Sequence, residues 1–159
     1  MGIVSPVGSS LADDWRNVSE GNSGTVLIED FDTSAFPTRI AGIVQGFDVD
    51  AYLEKKDQRK NDPFIHYAVG ATVEAIRDSG LEITEENGHR VGVALGAGIG
   101  GIQTIEENHL KMINGGARKV SPFFIPGIII NMASGQVSIM DHITGPNISI
   151  VTACATSTH

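Results

Sequence analysis

The residue best suited to covalent chemistry is Cys154, the only cysteine among 159 residues, in the stretch Gly145-Pro146-Asn147-Ile148-Ser149-Ile150-Val151-Thr152-Ala153-Cys154-Ala155-Thr156-Ser157-Thr158-His159. Gly-Pro is a turn signal, the β-branched run after it reads as a short strand over 147–153, and the small residues around the cysteine read as the first turn of a helix. A thiol placed there meets the positive end of a helix dipole, which favours thiolate over thiol without an adjacent base. The alternative is a buried cysteine acting as a small hydrophobe. Position favours the nucleophile, because open α/β sheets place their ligands at the C-terminal ends of strands. His159, five residues on, is expected to pack beneath Cys154 rather than to act as its base. His66 falls inside a helical pattern with no second ligand at i+3 or i+4, so it reads as a surface or hydrogen-bonded histidine. His89, His109 and His142 have no ligand spacing either, and no metal or cofactor is assigned.

The elements that must carry this cysteine are readable in outline. Ser10-Leu11-Ala12-Asp13 has the form of a capped helix start, running through Trp15 and Val18 to Gly21. Met1 to Gly8 reads as a turn leaving a strand that lies before the sequence, and Arg39 to Val44 as a small strand. Asp62 and Pro63 open a core-facing helix in which Phe64, Ile65, Ala68, Val69, Val73 and Ile76 recur at helical spacing until Gly80. Val91 to Leu95 predicts a buried parallel strand. Two helices follow: one from Ile102 to Asn114-Gly115-Gly116, and one nearly all apolar from Ile128 to about Met140, expected to be buried on most faces. Strand, two helices and strand form a right-handed crossover, so 91–95 and 147–153 should be parallel neighbours in one sheet.

Composition narrows the function classes. The net charge of −8 argues against nucleic-acid binding, which needs clustered Lys and Arg on a basic face. No run approaches the roughly 20 apolar residues of a membrane span, and the N-terminus lacks a signal-peptide layout, so a cytoplasmic protein is expected. A single cysteine excludes an intramolecular disulfide. The sparse positive charge is uneven: Lys55, Lys56, Arg59 and Lys60 form one cluster, Arg118 and Lys119 another. Both could be solvated loop charge, or could receive an acidic partner.

Gly96, Gly98 and Gly101 satisfy G-x-G-x-x-G between a strand and a helix, the arrangement of a dinucleotide-binding module. The acidic residue that would hold a ribose about 20 residues on is missing, since that region is Gly115-Gly116-Ala117-Arg118-Lys119. The other reading is structural: a glycine loop passing close to a pocket or subunit interface.

Thr152-Ala153-Cys154-Ala155-Thr156-Ser157 resembles the active-site cysteine motif of the β-ketoacyl-[acyl-carrier-protein] synthases, the condensing enzymes of bacterial fatty acid synthesis. The likeness extends, in order, through Phe31-Asp32-Thr33-Ser34-Ala35-Phe36, Asp78-Ser79-Gly80-Leu81, Gly96 to Gly101, Asn114-Gly115-Gly116, Ser121-Pro122-Phe123-Phe124-Ile125-Pro126 and Asn131-Met132. It covers essentially the whole sequence. These matches resemble the type II branch, while Ala155-Thr156-Ser157 is similar to type I as well.

The resemblance implies an α/β fold of the thiolase-like α/β/α/β/α kind, with residues 1–159 as an incomplete N-terminal synthase domain whose first strand and C-terminal half are not included. It implies that Cys154 accepts an acyl chain from an acyl-carrier protein by thioester exchange, its own backbone N–H contributing to the oxyanion hole. Malonyl-carrier protein then decarboxylates and the carbanion attacks the acyl-cysteine, a step for which the family uses two histidines later in the chain. A fragment without them is expected to be inactive alone, and to aggregate or fold only partly through exposed apolar faces. By resemblance Ile99, Ala153 and Phe124 belong to the acyl pocket, Phe124 reaching it across a homodimer interface. Lys56, Arg59, Lys60, Arg118 and Lys119 match positions that dock the acidic carrier protein. Three readings stay open: condensing enzyme, dinucleotide-binding module, and a carrier-docking remnant without catalysis.

Overall fold

Local chain chemistry sets most of the element boundaries in the computed structural model, which describes residues 1–159. Helix α1 spans Leu11–Glu20; Ser10 Oγ accepts from Asp13 N at 3.1 Å and donates to Asp13 Oδ2 at 2.7 Å, and Gly21 ends the helix at φ 74°. Strand β1, Thr25–Leu27, pairs antiparallel with β2, Ile40–Gly42. Only β2 was expected, because three residues between turns carry no period to read. After the short helix α2, Lys55–Gln58, comes α3, Pro63–Ser79, with Asp62 as cap, proline in the first turn and Gly80 closing at φ 65°.

Strand β3 spans Val93–Gly96 and β4 spans Asn147–Ile150, joined through α4 (Ile102–Gly115), α5 (Phe124–Ile128) and α6 (Asn131–Met140). The two strands pair in parallel, Val93 opposite Asn147 and Gly96 opposite Ile150, as the crossover predicted. The second crossover helix, expected from Ile128, begins at Asn131 as α6, and the short helix α5 before it was not expected. Ile129 is extended (ψ 138°), and the Ile128 carbonyl that would continue the helix accepts instead from Gly101 N at 3.1 Å. Three successive β-branched residues, Ile128, Ile129 and Ile130, make that break inexpensive. Nor is α6 buried all round: Ala133, Ser134 and Val137 are buried while Ile139 is 68% exposed.

α6 packs on both β3 and β4, and α3 packs on α6. The core joins these layers through Ile65 and Val69 of α3, Val93 of β3, Ala133 and Val137 of α6, with Leu53 and Ile143. Burying each of the larger aliphatic side chains contributes roughly 2 kcal/mol. This wedge is what holds β4, and therefore the cysteine beyond it. No helix is long and apolar enough to cross a membrane.

Candidate active site

β4 ends at Ile150, three residues earlier than the sequence pattern predicted, and Ala153 takes φ 49°, a left-handed conformation uncommon for a residue with a Cβ. Cys154 follows directly, exposed, in a six-residue 3-10 helix over Ala153–Thr158. The expected α-helical first turn is thus corrected to a tighter one, and no α-helix dipole stands behind the thiol. The threonines explain it. Thr156 Oγ1 accepts from Thr152 N at 2.9 Å and donates to Ala153 O at 2.8 Å, and Thr158 Oγ1 donates to Ala155 O at 2.7 Å, so hydroxyls compete for backbone groups an α-helix would use.

Cys154 lines a cavity of about 470 Å³ with Leu95, Gly96, Gly98, Ile150 and Ala153. His159 shares the cavity and is exposed, so it does not pack beneath the thiol as expected. Of the three positions expected to form an acyl pocket, Ala153 lines this cavity; Ile99 (68% exposed) and Phe124 do not.

The glycine loop is shaped by what it touches. A Cβ on Gly96 would lie 2.3 Å from Thr156 Cγ2 and 2.6 Å from Ile150 O, and one on Gly98 would contact the Ala153 backbone at 3.6 Å. The loop is therefore pressed against the cysteine turn. Gly100, at φ 94°, and Gly101 press equally on α5, where a Cβ would meet Ile128 O and Gly127 O at 2.7 and 2.8 Å. Beyond it, Asp62 is 4% exposed and accepts from Phe64 N of α3 (3.2 Å) and from Thr104 N of α4 (2.9 Å). One carboxylate thus caps two helices. Its role on α3 was readable in the sequence; its role on α4, 42 residues away, was not. It also argues against the dinucleotide reading, because the helix N-terminus a pyrophosphate would need already holds a negative charge of the chain's own.

The predicted docking residues fall into two electrostatic classes. Lys56 is paired with Glu54 at 2.8 Å, a bond that raises its pKa, and Lys60 is paired with Asp57 at 2.9 Å while standing 5.7 Å over the Phe123 ring. Arg59 only donates Nε to Lys55 O, and Arg118 and Lys119, in a 3-10 turn, form no ion pair. A cavity of about 240 Å³ has Arg59 and Lys60 on one side and Ser121 and Phe123 on the other. Lys111 of α4 lines it too, and also lines a groove with Lys119; sequence reasoning missed it because a lone lysine on a mixed helix face carries no signal. His66 is satisfied as expected, its Nε2 3.2 Å from Gln58 O, and burial holds its pKa below the ordinary range.

With the strand, the exposed thiol and the glycine loop in place, the class is defined: residues 1–159 match the family model "Beta-ketoacyl synthase, N-terminal domain", and the chain belongs to that family. Among curated relatives it is 53% identical to 3-oxoacyl-[acyl-carrier-protein] synthase 2 of Vibrio cholerae, over the whole of this chain and 38% of that protein. The chain thus spans under two fifths of the relative it matches. In structure it resembles the ishigamide ketosynthase/chain length factor, with TM-score 0.82 and 22% identity over 95% of this chain and 38% of that one. A second likeness, TM-score 0.73 and 23% identity over 94% and 40%, is to a type II polyketide acyl-carrier protein in complex with its ketosynthase bound to the hexaketide. These likenesses establish the thiolase-like α/β fold.

Proposed function

We propose that the chain is the nucleophile-bearing part of a 3-oxoacyl-[acyl-carrier-protein] synthase of the type II branch, which elongates fatty acyl chains by decarboxylative condensation. The observation that carries this reading is Cys154: a single thiol, exposed at the end of a parallel strand, on a cavity walled by a glycine loop. In the first half-reaction the Cys154 thiolate attacks the carbonyl carbon of an acyl thioester. A carbon–sulfur bond forms to the enzyme, and the carrier's thiolate leaves. In the second, malonyl-carrier protein loses CO2 and its carbanion attacks the acyl-cysteine. The product is a 3-oxoacyl thioester two carbons longer, and the Cys154 thiolate is released. No residue of 1–159 is assigned to the decarboxylation, and residues 1–159 are proposed as part of a larger synthase domain.

The acidic acyl-carrier protein, in acyl and malonyl forms, is the proposed partner, supported by the carrier complex of the related ketosynthase and by the basic side chains Arg59, Lys60, Lys111 and Lys119 that line two cavities sharing Lys111. Arg59, Arg118 and Lys119 would dominate the docking and Lys56 and Lys60, already paired, would contribute less. Charge reversal of Arg118 and Lys119 together is expected to weaken carrier binding about tenfold or more at low salt, and reversal of Lys56 much less, read by salt-dependent titration. Ile99, Phe124 and Ala153 are proposed for the acyl pocket, and a homodimer for the assembled enzyme. That accords with the exposure of Ile99, Ile125 and Ile148. A cytoplasmic location would keep the thiol reduced.

Acyl transfer from radiolabelled acyl-carrier protein tests the assignment. Label should appear on Cys154 and vanish in Cys154→Ala; label persisting in that variant would sink it. Iodoacetamide labelling against pH gives a second check, since an unactivated thiol reacts only near its usual pKa of about 8.5.

A further inference from the structure

We propose that Ser134, Asn147 and Ser149 form a polar cluster, centred on the buried Ser134 hydroxyl, that fixes the register of β4 against α6, making Ser134 and Ser149 positioning residues for Cys154. The inference rests on reading Cys154 as the nucleophile. Alternation puts Val93 and Leu95 of β3 and their partners Asn147 and Ser149 of β4 on one face of the two-stranded sheet, the face that meets α6. On the β3 half that contact is apolar and non-directional, so it sets no position along the strand. The β4 half is directional.

Ser134 Oγ, in a residue with no solvent exposure, lies 2.7 Å from Asn147 Oδ1, 2.7 Å from Ser149 Oγ and 3.0 Å from Asn131 O. A hydroxyl has one proton, so it donates to Asn147 Oδ1, the nearer of the two carbonyl oxygens, and accepts from Ser149. The Asn147 amide donates to Ser134 O at 2.9 Å and to Ser138 Oγ at 2.7 Å, one turn further along α6. Its orientation is fixed, because the flipped amide would set two carbonyl oxygens against each other. Asn147 thus grips two successive turns of the helix.

Packing alone does not call for this. Ala133 beside it is as deeply buried without a polar atom, and a buried hydroxyl carries a desolvation cost that an apolar core avoids. What directional bonds supply is specificity. Sliding β4 by one residue would turn Ile148 and Ile150 toward α6, leave the Ser134 hydroxyl only Asn131 O as partner, and displace Cys154 by about 3.3 Å. It would also move Ile150 O, which lies 2.6 Å from where a Gly96 Cβ would be, and so disturb the contact between the glycine loop and Thr156. Misplacement of a reacting group by about 1 Å can cost about 100-fold in rate.

The test compares Ser149→Thr with Ser149→Val, which share shape and strand preference and differ only in the hydroxyl. Ser134→Ala is the second probe, and Val137→Ala, which removes core packing from the same helix, is the stability control. In the full chain, the rate of Cys154 alkylation by iodoacetamide is measured over roughly pH 6 to 10, with thermal midpoints alongside. Ser149→Thr should keep the wild-type profile. Ser149→Val and Ser134→Ala should shift it or change the rate by about fivefold or more. Val137→Ala should lower the midpoint at least as far while leaving the profile in place. The proposal is overturned if the Thr and Val variants superpose, or if Val137→Ala moves the profile as much as Ser134→Ala. Should Ser134→Ala fail to fold, the Thr and Val pair still decides. A wild-type profile of an ordinary thiol would defeat the nucleophile reading instead, and the variants would then still report on register.

Discussion

β4 is held by hydrogen bonds between α6 and its Asn147 and Ser149, whereas Ile150 and the turn beyond it to Cys154 are bordered by the backbone of Gly96 and Gly98. One end is placed by polar groups that must be present, the other by Cβ atoms that must be absent. The difference shows how a fold can hold an exposed group firmly without crowding it: specificity is built where the strand meets α6, and space is kept where the thiol meets solvent.

The contrast can be broken most severely at Gly96. In Gly96→Val a Cβ 2.3 Å from Thr156 Cγ2 and 2.6 Å from Ile150 O has to displace the cysteine turn, with an expected loss of about 3 kcal/mol in urea unfolding and a changed Cys154 labelling profile. Removing a required polar group ranks next. Asp62→Ala leaves Phe64 N and Thr104 N without their acceptor and should cost about 2 kcal/mol in thermal melts, while Asp62→Asn, which keeps one oxygen, should cost about half that. Equal losses for the two variants would mean that the charge, not the hydrogen bonds, matters.

Gly80→Ala sharpens the distinction between glycines, because at φ 65° nothing lies near the added methyl. Only the left-handed backbone opposes it, so the loss should be about 1 kcal/mol with Cys154 labelling untouched. The smallest effect is at His66. Burial favours its neutral form in the folded chain, so as pH falls below about 6.5 the unfolded chain takes up a proton first. Its contribution is complete above that pH and declines below it. Urea midpoints between about pH 7.5 and 5.5 should show a shallow decline that His66→Gln flattens.

Much of this is legible in the amino-acid sequence. Ser10, Asp62, Pro63, Gly21 and Gly80 act through chain neighbours, so the ends of α1 and α3 could be read from type and spacing. The parallel pairing of β3 and β4 followed from the handedness of crossovers, and Cys154 from its place after the final strand. What escaped was set at a distance. The second partner of Asp62, the use of Ile128 O by Gly101 that splits α5 from α6, and the threonine bonds that tighten the cysteine turn all depend on which groups the fold brings together. Gly96, Gly98 and Gly101 illustrate the limit well: the spacing was visible, but only contact with Thr156, Ala153 and α5 separates a packed loop from a phosphate cradle.

The pairing of Val93 with Asn147 has a kinetic side as well. Roughly fifty residues of chain must be looped before the first rung of that ladder can form, and closing such a loop is an entropic debit met before any parallel contact is made. Local pieces such as α1 and α3 can form early, whereas the strand ending at Cys154 cannot settle until the intervening helices have docked. On this topology the turn that carries Cys154 is assembled late in folding, after the helices between the two strands.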